Sequence, residues 1–350
     1  MKIHEKYLSR ALQIAQLGLG STAPNPMVGC VIVRDNLIIG EGFTSPYGGA
    51  HAEVNAIKSV RQPQLLKSST LYVTLEPCCH YGKTPPCTNL ILDSGIPNVV
   101  IGIKDPNPSV AGKGIDQLES AGCTVITGVL EEACMHHHRR FLTFHSKKRP
   151  YIILKWAQSL DGFIAPSQGH RGAAQAPYWI SNEQSQQLVH RWRTEEAAIL
   201  VGTGTVHADN PKLNSRLWAG NNPVRVILDR NCSIPANYNV MDNRTLTHII
   251  CSESFPPQKI DNTCYHPLDF GPGFIDRLCR LMYELQILSV MVEGGSETLH
   301  SFITSEMWDE ARIFTGNVPL YSGLSAPEIA GKRYKETQIG NNILRICQRD

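Results

Sequence analysis

Apolar and polar residues alternate with two different periods over the first third of the chain. Apolar side chains recur at helical spacing over residues 4–19, which predicts an amphipathic helix. Short apolar runs bounded by turn residues predict strands at 28–33, 37–40, 70–75, 99–103 and 124–126. Helical patterns predict helices from about residue 51 to 57, after Cys87 and over 112–122. Strands that alternate with helices of this length indicate a layered α/β domain.

The alternation restarts after residues 144–150, a polar, basic stretch that ends in proline and is the predicted linker. Further apolar runs predict strands at 151–156, 197–201, 224–228, 246–250, 289–292 and 311–314. Helical spacing predicts helices at 183–192, 274–285 and 297–303. The polar stretch 165–177 is rich in Gly, Ala and Gln and predicts a loop. We therefore expect two α/β domains, over residues 1–146 and 149–350.

Composition narrows the class of protein. The chain has 350 residues, 42% of them hydrophobic, and 33 basic against 31 acidic residues. A net charge of +2 provides no basic field for sequence-independent nucleic-acid binding. The polar N-terminus, and the lack of any apolar run near 18 residues, predict a cytoplasmic protein without membrane contact. Its 11 cysteines are odd in number and scattered, unlike a secreted disulfide framework.

A histidine and several cysteines form a candidate zinc site. His51 and Glu53 belong to a His-Ala-Glu motif, and Cys78 and Cys87 flank a short loop that follows a predicted strand. One imidazole and two thiolates can hold zinc and leave a position for an activated water molecule. Cys79 competes for a ligand place, but the sequence favours His51, Cys78 and Cys87. Glu53 is the predicted acid/base that moves protons between water and the leaving amine.

Two alternatives compete with a catalytic zinc site. The residues of the motif can be a buried histidine and unrelated free thiols. The zinc can also be purely structural, in a binding module. The second alternative is disfavoured because structural zinc sites normally have four protein ligands, whereas only three are evident here.

Eight residues separate the two predicted thiolate ligands, more than in the Pro-Cys-x-x-Cys pattern of base deaminases. The loop contains His80 and Lys83, which suit a polar pyrimidine or a phosphate. Both can equally be ordinary surface residues. The run from His136 to Arg140 is a weaker metal candidate, since such a run is more typical of a solvated helix face or helix end.

The second half contains two glycine-rich strand-to-helix junctions, at 201–205 and 292–296. Glycine permits close approach of the backbone, and a helix N-terminus favours phosphate, so the two turns suit a dinucleotide. Neither is a full Gly-x-Gly-x-x-Gly fingerprint, and ordinary tight turns explain them as well.

Several motifs in one order resemble those of the bifunctional deaminase–reductase family of riboflavin biosynthesis, the RibD/RibG family. They are Pro-Asn-Pro at 24–26, His-Ala-Glu at 51–53, Pro-Cys-x-His-x-Gly-Lys-Thr-Pro-Pro-Cys at 77–87, Asp-Pro-Asn-Pro at 105–108, Ser-Leu-Asp-Gly at 159–162, Trp-Ile-Ser at 179–181 and Val-Glu-Gly-Gly at 292–295. The resemblance covers nearly the whole chain. It implies two three-layer α/β domains, the first cytidine-deaminase-like and the second dihydrofolate-reductase-like.

The same resemblance implies roles for individual residues. The implied NADPH-binding positions are Ala157, Trp179, Thr205, Asp209, Gly295, Ser296, Glu297, Thr298, Leu299, His300 and Ser301. The implied substrate-binding positions are Asn25, His80, Lys83, Lys155, Arg193, Leu213, Arg216 and Glu293. The two arginines suit the ribosyl phosphate, because a guanidinium can bind phosphate through two hydrogen bonds.

The family implies one chain that deaminates a phosphoribosylaminopyrimidine with zinc and then reduces its ribosyl group with NADPH. The expected partner is therefore a small-molecule substrate rather than nucleic acid, and a homo-oligomer is left open. Two departures from the family pattern, Pro177 in place of a hydroxyl residue and Asn214 after Leu213, keep a deaminase with an inactive reductase domain as an alternative. A nucleic-acid-editing deaminase with an accessory domain is the other.

Overall fold

The computed structural model describes residues 2–81, 85–106, 111–167, 177–256, 258–329 and 332–349. The chain divides into two compact units, Met1–Lys148 and Arg149–Asp350. Within the described residues, none of the helices combines the length and the apolar character that crossing a membrane requires.

The first unit is built on a five-stranded mixed sheet with the order β2-β1-β3-β4-β5. The strands are β1 Gly29–Arg34, β2 Leu37–Phe43, β3 Thr70–Leu75, β4 Asn98–Ile103 and β5 Thr124–Thr127. The helices are α1 Ile3–Ala15, α2 Ala52–Ser59, α3 Cys87–Asp93, α4 Lys113–Ser120, α5 Glu131–His137 and α6 Arg139–Lys147. Strands β3, β4 and β5 run parallel, whereas β1 is antiparallel to β2 and β3. β3 and β4 are continuous apolar runs because they are buried on both faces.

The predicted linker at 144–150 is wrong for most of its length. Its first residues complete helix α6, where Phe141 and Phe144 lie three positions apart on a buried face. Arg149 is buried in the second unit, and its Nη2 donates to Asp309 Oδ1 at 2.8 Å. The basic residues of the stretch favoured the prediction of a linker, although Phe144 belongs to the buried face of a helix.

The His-rich run lies at a helix end, as one of its alternatives predicted, but the expectation that it is solvated is wrong. Helix α5 ends and α6 begins within it, which turns His137 and His138 into the interior. Nε2 of His137 lies 2.8 Å from the Met27 carbonyl oxygen, and Nε2 of His138 lies 3.1 Å from Thr74 Oγ1. These imidazoles therefore act as neutral structural groups that satisfy buried polar atoms.

The burial of His137 predicts acid sensitivity. Burial, aided by neighbouring arginine charges, lowers the pKa of His137 to about 4. The unfolded chain therefore binds this proton first, and stability that is present above pH 6.5 is lost as the pH falls toward 4. We expect the free energy of unfolding to fall by about 2 kcal/mol between pH 7.5 and pH 5 through this group.

Urea titrations at the two pH values measure the difference. His137→Gln should make the difference in the free energy of unfolding between the two pH values smaller. Replacement of the exposed His80 should leave this difference unchanged. An equal pH dependence in wild type and His137→Gln would contradict the expectation.

The second unit is built on a ten-stranded sheet with the order β11-β12-β10-β9-β8-β13-β6-β14-β17-β16, and β7 pairs with β15 in a separate ribbon. The strands are β6 Tyr151–Gln158, β7 Phe163–Pro166, β8 Ala198–Gly202, β9 Val224–Leu228, β10 Thr247–Cys251, β11 Gln258–Ile260, β12 Thr263–Pro267, β13 Ser289–Val292, β14 Glu310–Thr315, β15 Gly323–Ser325, β16 Lys332–Ile339 and β17 Asn342–Gln348. The helices are α7 Glu183–Glu195, α8 Thr203–Asp209, α9 Phe274–Glu284 and α10 Ser296–Thr304.

The centre of this sheet is parallel from β12 to β14, and only β11, β17 and β16 are antiparallel to their neighbours. The central strands β8, β13 and β6 are buried runs of Ile, Leu and Val, as parallel strands covered on both faces require. The predicted loop at 165–177 begins inside β7, and residues 168–176 lie outside the described part. Helices α8 and α10 follow β8 and β13, so both begin at the same edge of the sheet.

Candidate active sites

The predicted zinc ligands come together at the ends of three elements of the first unit. His51 is the residue that precedes helix α2, Cys78 lies just beyond β3, and Cys87 is the first residue of α3. Nδ1 of His51 lies 3.5 Å from Cys78 Sγ and 3.4 Å from Cys87 Sγ. The three possible ligand atoms all lie within 4.8 Å of one another.

The donor set fits zinc in number and in chemistry. Two thiols and one imidazole are ligands that zinc prefers, and three protein ligands are typical of catalytic zinc. Cys78 is prepared to be a thiolate, because the Cys87 thiol and the His51 ring donate hydrogen bonds to it and lower the pKa of Cys78. The backbone N–H of Cys87 also donates to Cys78 Sγ, at 3.3 Å. Thiolate character at this position favours metal binding.

Glu53 lies in the first turn of α2, two residues from the imidazole, and is 4% exposed. Burial, followed by the charge of Cys78, raises the pKa of Glu53 to about 7. A carboxyl group with a pKa near neutrality can accept a proton and return it at the pH of the cell. The geometry therefore suits the acid/base role that the motif predicts.

Four other residues were candidates near this site. Cys79 is half-buried and lies outside the cluster of three ligands. His80 is exposed, and Asn25 is half-buried with its backbone N–H donating to the Thr22 carbonyl. Lys83 falls outside the described residues. The substrate contacts implied for Asn25, His80 and Lys83 stay predictions.

Sequence reasoning missed the buried Glu76, which lies between β3 and Cys78 and is 4% exposed. Its carboxylate accepts hydrogen bonds from backbone N–H groups of Asp105, Gly112, Gly114 and Ile115. The sequence offered one indication of this role, an acidic residue directly after an apolar strand. A carboxylate that is buried there needs hydrogen-bond donors around it.

In the second unit, one cleft of about 1220 Å³ is lined by both glycine-rich turns. All the residues implied for the reductase line it, namely Lys155, Ala157, Trp179, Arg193, Thr205, Asp209, Leu213, Arg216, Glu293 and the turn from Gly295 to Ser301. The two turns are in close contact, since a Cβ on Gly202 would lie only 2.6 Å from Thr298 Oγ1. A cleft of this size, floored by a parallel sheet and two helix N-termini, can hold a dinucleotide.

Glu293 is at the centre of a buried charge cluster in this cleft. Nε and Nη2 of Arg193 donate to its two carboxylate oxygens at 2.8 and 2.7 Å. Nζ of Lys155 lies 3.8 Å from Glu293 Oε2. Burial would raise the pKa of Glu293, but the charges of Arg193 and Lys155 outweigh it and lower that pKa to about 2.

The charge cluster separates the two arginines that the family pattern groups together. Arg193 also donates from Nη1 to the Asn214 carbonyl at 3.0 Å, so its guanidinium is largely used inside the protein. Arg216 is exposed to the cleft, with Nη1 donating to Asn214 Oδ1 at 3.2 Å. Arg216 is therefore the better placed of the two to bind a phosphate.

The mouth of the cleft contains residues with exposed faces. Trp179 is 55% exposed, and Pro177, which lacks a hydroxyl, lies beside it. Arg230 also lines the cleft, just beyond β9, with its guanidinium 5.9 Å from the Phe270 ring. Sequence reasoning missed Arg230, although a basic residue two positions after a predicted strand was a usable signal.

Two family models match the two halves of the chain. The model described as "RibD C-terminal domain" matches residues 150–330. The model described as "Cytidine and deoxycytidylate deaminase zinc-binding region" matches residues 1–103. The second match covers all three predicted zinc ligands.

Proteins with full-length similarity include two curated relatives and a solved structure. The riboflavin biosynthesis protein RibD of Bacillus amyloliquefaciens is 39% identical, over 97% of this chain and 95% of that protein. RibD of Aquifex aeolicus is 36% identical, over 96% of this chain and 93% of that protein. The crystal structure of a diaminohydroxyphosphoribosylaminopyrimidine deaminase/5-amino-6-(5-phosphoribosylamino)uracil reductase from Thermotoga maritima is 38% identical with a TM-score of 0.90, covering 99% of both chains.

These similarities confirm the resemblance and the fold class that the motifs predicted, a cytidine-deaminase-like unit followed by a reductase unit. A dependence on zinc fits the three converging ligands, and a dependence on NADPH fits the reductase cleft. The chain belongs to the RibD family, the bifunctional deaminase–reductases of riboflavin biosynthesis.

Proposed function

We propose that this chain catalyses both reactions named for its relative from Thermotoga maritima. Residues 1–146 replace the 2-amino group of 2,5-diamino-6-(5-phosphoribosylamino)pyrimidin-4(3H)-one by oxygen from water and release ammonia. Residues 149–350 then reduce the ribosyl group of the product to ribityl with NADPH. The observation that carries the proposal is the joint presence of a His-Cys-Cys cluster with a buried Glu53 and of a dinucleotide-sized cleft.

In the deamination, His51, Cys78 and Cys87 hold the zinc ion. When bound, zinc supplies a water molecule that is activated near neutral pH. Glu53 accepts one proton from the attacking water and delivers it to the pyrimidine ring nitrogen. It then takes the remaining proton from the new hydroxyl group on the ring carbon and passes it to the amine, which leaves as ammonia while the C=O bond forms. The low exposure of Glu53 keeps bulk water from competing for that proton.

In the reduction, NADPH supplies the hydride and this chain supplies orientation. The turns at 201–205 and 292–296 bind the pyrophosphate through backbone N–H groups. Arg216 binds the substrate phosphate at the open side of the cleft. The ion pair of Arg193 with Glu293 and the nearby Lys155 fix the position of the ribosyl group.

Arg230 is proposed to select NADPH over NADH by binding the 2′-phosphate, since a 2′-phosphate calls for a nearby arginine. Arg230→Gln should raise the KM for NADPH by roughly 10-fold to 100-fold, the value of a charge-assisted hydrogen bond. The KM for NADH, which lacks the phosphate, should stay unchanged. Steady-state oxidation of both nucleotides measures the ratio, and Arg280→Gln, at an exposed position of α9, is the control.

An equal rise of the KM for NADPH and the KM for NADH in Arg230→Gln would show that Arg230 does not bind the 2′-phosphate. It would leave the proposed reactions untouched.

The two reactions are tested together by mass spectrometry on the purified full-length protein. With zinc and the diaminopyrimidine alone, we expect the mass of the deaminated product. With NADPH added, we expect a further gain of two hydrogens. Deamination without reduction at any concentration of the intermediate would favour a deaminase with an inactive reductase domain, the alternative raised by Pro177 and Asn214.

The proposed partner is a phosphorylated small molecule, with no nucleic acid and no membrane involved. The near-neutral charge of +2 supports this proposal. The proposed location is the cytoplasm, where NADPH is available and where the thiols of scattered cysteines, such as the 11 in this chain, remain reduced.

A further inference from the structure

Helix α4 carries none of the proposed zinc ligands, yet both cysteine-bearing segments are attached to it. The first attachment is through Glu76, two residues before Cys78. Each oxygen of its buried carboxylate accepts two backbone N–H groups. Oε1 accepts those of Gly114 at 3.0 Å and Ile115 at 3.3 Å, and Oε2 those of Asp105 at 3.1 Å and Gly112 at 3.0 Å.

The carboxylate thereby binds the N-terminus of α4, where free N–H groups and the helix dipole favour a negative charge. The backbones are also in direct contact, because a Cβ on Gly114 would lie only 2.3 Å from the Pro77 carbonyl oxygen. The chain just before Cys78 therefore has no freedom to move relative to α4.

The second attachment is through Gln117, one turn further along α4. Its Oε1 accepts the Thr88 hydroxyl at 2.9 Å, and its Nε2 donates to Asn89 Oδ1 at 2.7 Å. Both partners lie in the first turn of α3, which begins with Cys87. Thr88 completes the connection, since its backbone N–H donates to the Cys78 carbonyl at 3.2 Å.

We propose that Glu76 and Gln117 are positioning residues that hold Cys78 and Cys87 at a fixed separation through α4, and that they thereby set the affinity and the geometry of the zinc site. The inference rests on the proposed function, in which these cysteines bind zinc. Without the two attachments, the sulfur atoms would have to be ordered by the metal itself, at the expense of binding free energy. Outer partners of this kind typically account for 10-fold to 100-fold in metal affinity.

Zinc affinity of the full-length protein, measured by competition with a chromophoric chelator, tests the proposal. Glu76→Gln places an amide nitrogen opposite two N–H donors, and we expect it to weaken zinc binding by roughly 10-fold to 100-fold. Gln117→Ala removes the second attachment and should weaken binding by about 10-fold. Gln117→Glu keeps an acceptor for Thr88 and, once the Asn89 amide turns so that its Nδ2 donates to the new carboxylate, should restore affinity to near the wild-type value. Glu119→Gln, at an exposed position of α4, is the matched control.

A cobalt(II)-substituted protein separates positioning from general stability. The visible and near-ultraviolet bands of cobalt report the arrangement of the two thiolates, so they should change in Glu76→Gln and Gln117→Ala but not in the control. A purely structural role would lower the unfolding temperature and leave the affinity and the spectrum of the folded protein unchanged, which would overturn the proposal. Failure of wild type itself to bind zinc would overturn the proposed function as well.

Discussion

Glu53→Gln is expected to keep its zinc and to lose deamination by roughly 10²-fold to 10⁴-fold, the usual contribution of a general acid/base. Gln has the shape of Glu but cannot accept the proton of the attacking water. Because Glu53 is buried beside the cluster and not part of it, its replacement leaves His51, Cys78 and Cys87 in place. The loss should therefore appear in kcat at full zinc occupancy.

The measurement pairs metal analysis with ammonia release on the same preparation. Lys58→Gln, at an exposed position of the same helix, should behave as wild type. Reduction of the deaminated intermediate should be unaffected, since the reductase cleft is formed by other residues. Normal turnover by the zinc-loaded Glu53 variant would show that another group carries the proton.

Arg193→Ala is expected to lower the reductase activity strongly and to leave the deaminase activity unchanged. Removal of the guanidinium takes away the two hydrogen bonds that the buried Glu293 carboxylate accepts from Arg193, and the Nζ of Lys155, 3.8 Å away, does not replace them. Loss of one partner of a buried charged pair typically costs about 2–5 kcal/mol. The part of this loss that falls on the transition state, which the pair is proposed to position, lowers kcat/KM, by roughly 30-fold to several thousand-fold if all of it does. The rest lowers the free energy of unfolding.

Steady-state NADPH oxidation on the deaminated intermediate measures this effect. The KM for the intermediate should rise much more than the KM for NADPH, because the pair is proposed to position the ribosyl group of the substrate. Arg191→Ala is the matched control, since Arg191 lies two residues away on α7 and is exposed, with Glu195 as its partner. An equal loss in both variants would point to damage of the helix, and unchanged kinetics of Arg193→Ala would exclude the pair from the reaction.

The zinc cluster was predictable because its chemistry depends on short local patterns. His51 and Glu53 are two residues apart, and Cys78 and Cys87 lie at a strand end and a helix start that apolar periodicity also predicts. The central strands were predictable for a related reason. Burial on both faces of a parallel sheet requires continuous apolar runs, and the predicted bounds 70–75, 224–228 and 289–292 coincide with those of β3, β9 and β13.

The features that were missed depend on contacts between distant parts of the chain. Glu76 accepts hydrogen bonds from backbone N–H groups that lie 29 to 39 residues further along the chain. A local sequence pattern does not identify such distant partners. The antiparallel strands β16, at the edge of the sheet, and β17, beside it, were also missed. β17 buries only part of its length, so its apolar period is weak. Arg193 and Arg216 were both predicted to bind the substrate phosphate. The sequence does not show that the guanidinium of Arg193 already donates two hydrogen bonds to Glu293.

The contact between Gly202 and Thr298 has an evolutionary consequence. A side chain at 202 would meet the Thr298 hydroxyl at 2.6 Å, so a change at 202 requires Thr298 to change its rotamer or its identity. Gain of a methyl group at 202 is least costly in a lineage that has first lost the hydroxyl at 298, as in Thr298→Ala. The order of the two changes is thus constrained, and the pair should show sign epistasis among the descendants of this sequence.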